Sequence, residues 1–147
     1  MTDSSPRILL VALDASPRKD QVLDRAIELS RALGASLVLL RAVGLPPELP
    51  REAYSVAPDA LPGLLVDEAR KDLELLAARV PAECRPTVRV ELGVAADVVC
   101  RVAEELSAEL VVLGSHGYSR LERMLGTTAS RVVNHCHRNV FVVRAKG

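Results

Sequence analysis

Five short apolar runs divide the chain, and between them apolar positions recur at spacings of three and four. Arg7 to Leu13, "RILLVAL", is nearly continuous in its hydrophobicity, as a strand covered on both faces must be. After "DASPRKD", Val22, Ala26, Leu29 and Leu33 fall on one helical face until Gly34 closes the segment, with Ser16 expected as N-cap and Pro17 at the first helical position. "SLVLLRAV" at 36–43 repeats the strand signal, and Leu65, Ala69, Leu73, Leu76 and Val80 mark a second helix that Pro81 ends. The stretch between them, residues 46–64, is proline-rich and reads as a long loop of the kind used for a lid, a binding loop or a mobile segment.

The second half repeats the alternation. "TVRVEL" at 87–92 reads as a strand, Val94 to Leu106 as a helix, "ELVVLG" at 109–114 as a strand, residues 127–137 as a helix and "NVFVVRA" at 139–145 as the last strand. Strands alternating with helices require right-handed crossovers, so the economical fold is one α/β domain spanning residues 1–147, a doubly wound parallel sheet with helices on both faces. Ligands of such sheets bind beyond the carboxyl ends of the strands, where the winding reverses. Asp14 follows the first strand and Gly114 ends the fourth, and both common strand orders bring those two ends together at the crevice.

Composition narrows the function. With 147 residues the chain can bury roughly 68–70% of its unfolded surface without a disulfide or metal. Lysine plus arginine equal aspartate plus glutamate at 19 each, which provides no overall field for nucleic acid or anionic lipid. The three aromatic residues, Tyr54, Tyr118 and Phe141, are too few for a base-stacking platform. No apolar stretch reaches the ~20 residues of a membrane span, and the polar start "MTDSSPR" lacks an apolar signal core. Cys84, Cys100 and Cys136 are an odd set without a CxxC pair, which fits reduced thiols. A cytoplasmic protein that contacts neither nucleic acid nor membrane is expected.

The remaining chemistry is concentrated in "VVLGSHGYSRLERMLGTTASRVVNHC", residues 111–136. A strand, a loop of small residues and a helix are a common way to build an anion site, because helix N-termini direct N–H groups and partial positive charge at a ligand. No glycine follows the first strand, which excludes the Rossmann fingerprint, and no lysine follows a glycine, which excludes a P-loop. Gly114, Gly117 and Gly126-Thr127 remain, where backbone can approach a polyphosphate and a hydroxyl stands at a helix entry. Turn and cap roles account for each glycine taken singly.

"ILLVALDAS", "GASLVLLRAV", "ELVVLGSHG", "MLGTTASRVV" and "NVFVVRA" together resemble the universal stress protein family, in order and over almost the whole chain. The resemblance implies a sheet of order 3-2-1-4-5, a homodimer and, in the ATP-binding branch, the motif G-x2-G-x9-G-[ST]. It implies Gly114, Ser115, His116, Gly117, Gly126 and Thr127 around the phosphates, with Thr128 added, Asp14 near the ribose or adenine, and Val43 against the adenine. ATP, or ADP or AMP, is the implied ligand, with Mg2+ as a companion. The chain departs from the motif in one respect: eight residues separate Gly117 from Gly126 where the pattern has nine. In a rigid helix that deletion rotates the downstream residues by about 100°.

Asp14 equally suits capping the first helix together with Ser16. "HCHRN" places His135, Cys136 and His137 on adjacent helical positions that point in different directions, so no metal site is expected. Cys136 continues the apolar face of Ala129, Val132 and Val133 and reads as a core thiol, while Arg120 and Arg123 read as solvated. Three functions fit: a nucleotide-binding regulator acting on a protein partner, a dimeric interaction module without ATP, and a weak ATPase or self-phosphorylating protein. Catalysis ranks last, since no lysine clamp or acidic pair accompanies the glycines and no catalytic residue is assigned. The last strand, 139–145, lies at a sheet edge in this order and is expected to pair with its counterpart in a second copy.

Overall fold

A computed structural model describes residues 6–44, 60–115 and 125–144. The elements run β1 (Ile8–Ala12), α1 (Lys19–Leu33), β2 (Ser36–Val43), α2 (Ala60–Ala77), β3 (Thr87–Leu92), α3 (Ala95–Glu105), β4 (Leu110–Gly114), α4 (Thr127–His135) and β5 (Asn139–Val143), with a short 3-10 turn at Ala82–Cys84 before β3. The strands form one five-stranded sheet in the order β3-β2-β1-β4-β5, every neighbouring pair parallel. Both the fold class and the strand order expected from the sequence are present.

Alternation along the central strands divides the interior in two. Leu9 and Val11 of β1 join Leu37 and Leu39 of β2 and Val112 of β4 beneath α1 and α2, which contribute Val22, Leu23, Ala26, Leu73 and Leu76. Leu10, Leu40, Val111 and Leu113 point the other way and meet Val98, Val99, Val102 and Ala103 of α3 and Ala129 and Val132 of α4. β1 is therefore dry on both sides, with Leu9, Leu10 and Val11 all at 0% exposure, which is why its sequence is a continuous apolar run.

Several boundaries differ from expectation. α1 starts at Lys19 rather than at Pro17. The Asp14 carboxylate accepts the Ser16 N–H at 2.9 Å and the Ser16 hydroxyl accepts the Arg18 N–H at 3.3 Å, so these polar residues build a turn ahead of the helix. α2 begins at Ala60, inside the stretch read as loop, and accepts Pro62 because a first-turn proline gives up no helical hydrogen bond. The rest of that stretch, including Tyr54, lies outside the described residues. α4 stops at His135, where Cys136 turns to extended backbone, φ −75° and ψ 137°. Gly34 ends α1 as expected, in the left-handed conformation at φ 66° with its N–H on the Ser30 carbonyl. Among the described residues no helix is long and apolar enough to cross a membrane.

Leu39 is fully buried at the centre of the first cluster, so Leu39→Ala leaves a cavity there. Urea denaturation should show a loss of about 2–5 kcal/mol, and a loss below about 1 kcal/mol would mean that the site collapses or the core is placed wrongly.

Candidate functional site

The winding reverses between β1 and β4, and a cleft of about 230 Å3 opens there at the carboxyl ends of both strands. Ala12, Leu40, Ala42, Ala95, Val99 and Leu113 give it an apolar wall. Asp14, Gly114, Ser115, Gly126, Thr127 and Thr128 add the polar groups. β1 and β4 deliver Asp14 and Gly114 because both apolar runs end at the same level of the sheet, with Val11 in register with Val112. The shared register follows from the parallel ladder, and Gly126 is tied to the end of β4 by its N–H, which donates to the Ser115 carbonyl at 2.6 Å. Ser115 in turn donates its N–H to the Val143 carbonyl of β5 at 2.9 Å, and only 2% of the residue is exposed.

Of the residues singled out in the sequence, Asp14, Gly114, Ser115, Gly126, Thr127 and Thr128 share this cleft. Val43 is not among the described lining residues; β2 contributes Leu40 and Ala42 instead, and the Val43 carbonyl accepts the Gly93 N–H at 3.0 Å. Because side chains alternate, Val43 follows Ala42 onto the opposite face of the sheet. His116, Gly117, Arg120 and Arg123, with the shortened 118–125 spacing, lie outside the described residues apart from Leu125. α4 is preceded by Gly126 as N-cap in extended conformation, φ −64° and ψ 167°, without a side-chain cap, so its first turn opens beside the exposed Thr127 and Thr128. No group of three or more potential metal ligands occurs among the described residues.

Arg41 is the residue that sequence reading missed. It sits on β2, 8% exposed, and donates Nε to the Leu13 carbonyl at 3.0 Å and Nη2 to the Asp14 carbonyl at 2.9 Å. These carbonyls leave the ladder where β1 ends, and the guanidinium fork satisfies both. Its Nη1 meets Asp72 of α2 at 2.6 Å, and Lys19 of α1 reaches the same carboxylate at 3.2 Å. The backbone that carries Asp14 is thus anchored to two helices through one buried cation. A lone arginine in an otherwise apolar strand was the available signal, since buried arginine requires a partner.

Burial works to raise the Asp72 pKa, but hydrogen bonds from Arg41 and Lys19, reinforced by their charges, hold it below its ordinary value.

A sequence profile of the Universal stress protein family matches residues 6–144, and the chain belongs to that family. Universal stress protein A homolog 1 of Coxiella burnetii is 31% identical over 141 residues, 94% of this chain and 96% of that one. Among solved structures, universal stress protein UspA from Lactobacillus plantarum superposes with a TM-score of 0.71 at 24% identity, over 97% of this chain and 100% of that one. A universal stress protein in complex with cAMP gives 0.63 at 23% identity, over 96% and 98%. The universal stress protein from Archaeoglobus fulgidus in complex with dAMP gives 0.58 at 17% identity, over 94% and 98%. At such identities the structures speak for a common fold.

A carboxylate whose pKa is lowered by folding stabilises the protein above its unfolded pKa, and that contribution is lost as pH falls through the folded value. Stability should therefore decline below about pH 4 partly through Asp72. Asp72→Asn should lower the urea midpoint at pH 7 and flatten this acid limb, and parallel acid limbs in the two proteins would remove Asp72 from the account.

Proposed function

We propose that the chain binds an adenine nucleotide, ATP foremost and ADP or AMP as alternatives, in the cleft between β1 and β4. In this reading it acts in the cytoplasm as a regulatory protein of the stress response, not as an enzyme, and passes nucleotide status to a protein partner. The observation that carries the reading is the pairing of an apolar wall with the opening turn of α4 at one end of the cleft. A purine has apolar faces to lay against Ala42, Val99 and Leu113, while phosphates suit a helix N-terminus flanked by Thr127 and Thr128. In this reading Asp14 accepts from a ribose hydroxyl, and Gly114, Ser115, His116 and Gly117 complete the site that the family resemblance implies. Complexes of relatives with cAMP and dAMP support the ligand class.

Mg2+ fits as a companion of the phosphates: it retains several waters and is usually held by one or two carboxylates together with phosphate oxygens, and Asp14 supplies one carboxylate. Phosphoryl transfer is less well provided for. No lysine or arginine is among the described lining residues, and Asp14 is the one carboxylate there.

With a Kd on the order of 10 μM, 1 mM ATP stabilises the fold by about 2.7 kcal/mol, a melting shift of roughly 5–10 °C. Thr127→Ala should weaken binding about tenfold or more through loss of a hydrogen bond to a charged group. If ATP, ADP and AMP all leave the melting curve unmoved and freshly purified protein carries no nucleotide, the dimeric interaction module becomes the better reading.

The second part of the proposal is a homodimer through residues 139–145. β5 is the last strand of the sheet, with β4 as its neighbour, and Phe141 is exposed on it. An antiparallel pair formed with the same strand of a second copy is self-complementary under two-fold symmetry and closes both edges. Val142→Pro removes one backbone donor and should weaken self-association. Sedimentation equilibrium at micromolar concentration tests this, and a mass near the 15.8 kDa monomer throughout would end the dimer proposal.

A further inference from the structure

Away from the cleft, α3 and α4 lie side by side, and charges stitch their shared seam at two levels. Arg131 of α4 reaches Asp97 of α3 at 3.4 Å, and Arg138 clasps Glu104 with two contacts of 3.2 Å. Asp97, Cys100 and Glu104 are spaced three and four apart and so share one face of α3. The opposing chain rises in the same direction from Arg131 through Cys136 to Arg138. The two ion pairs therefore bracket Cys100 and Cys136, and both thiols pack, half-buried, against the second core cluster. The Cys136 thiol is near enough to raise the pKa of Cys100. Cys84 lies on the other side of the sheet at 1% exposure, within the first cluster.

We propose that Cys100 and Cys136 form a modification site for two-electron oxidants such as peroxides, closing reversibly to an intramolecular disulfide that fastens α3 to α4. One sulfur attacks a peroxide oxygen as thiolate; the O–O bond breaks, and a sulfenic acid and one water result. The second sulfur then displaces the sulfenic oxygen, which leaves as a second water as the S–S bond forms. Two thiols and hydrogen peroxide become one disulfide and two waters. The flanking ion pairs hold the seam in register around the two thiols, so closure draws on side-chain rotation at Cys100 and Cys136. Burial first, and Cys136 next, push the Cys100 thiol up to about 11, with Asp97 adding and Arg131 opposing.

The test is oxidation of the fully reduced wild-type protein by hydrogen peroxide, trapping of remaining thiols with N-ethylmaleimide, and mass spectrometry of non-reduced peptides. The expected product is a chain of monomer mass with a Cys100–Cys136 cross-linked peptide, a single trapped thiol at Cys84, and full reversal by dithiothreitol. Cys100→Ser should abolish the cross-link and leave Cys136 as sulfenic acid or further oxidised. The proposal is overturned if Cys100 and Cys136 are both still trapped under peroxide that fully oxidises glutathione in the same tube. Cross-links found only between copies, or to Cys84, would overturn it equally.

Discussion

The structure depends on a central strand that must be dry on both faces. β1 has neighbours on both edges and helices above and below, so Leu9, Leu10 and Val11 can be nothing but apolar, and their backbone groups are taken up in the ladder. Polarity can return only where the strand ends. Because β2 winds away on one side and β4 on the other, helices leave that end in opposite directions and cannot cover it. The cleft is the consequence of satisfying the core, and its polar lining comes from the residues that follow β1 and β4 and from the opening of α4.

Strand ends create a difficulty that the molecule meets with one buried charge. The carbonyls of buried Leu13 and of Asp14 lie beyond the ladder, and Arg41 takes both. Its own burial demands a counter-charge, which Asp72 supplies from α2, and Lys19 binds the same carboxylate from α1. Four elements thus meet at one ionic group beneath the rim of the cleft. By contrast, the exposed ion pairs, such as Arg25 with Glu28 and Arg31 with Glu83, lie in water and contribute little apiece.

The opposite face of the sheet is organised differently. α3 and α4 both start at the cleft, at Ala95 and Thr127, and α3 is tied to α4 by the Asp97–Arg131 pair and to the chain just beyond α4 by the Glu104–Arg138 pair. A constraint placed on that seam acts on the same two helices whose first turns line the cleft.

The sequence by itself determined the element types, their order and the two-faced sheet, because dry strands and one-sided helices leave periodicities of two kinds that are local in the chain. It also marked Asp14, Gly114 and Gly126-Thr127 as strand and helix ends, since turn and cap chemistry is read within a few residues. Helix starts were less legible: Ser16 and Pro17 carry the signals of an α1 entry, but Asp14 draws Ser16 into a turn and delays the helix to Lys19. Tertiary structure alone decided that Arg41 braces the backbone of Asp14, that β2 lines the cleft with Ala42 and not Val43, and that Cys100 and Cys136 pack against one core cluster. The physical reason is the same in each case. Those contacts join residues dozens of positions apart, and their partners are set by strand register and helix packing, which no local pattern encodes.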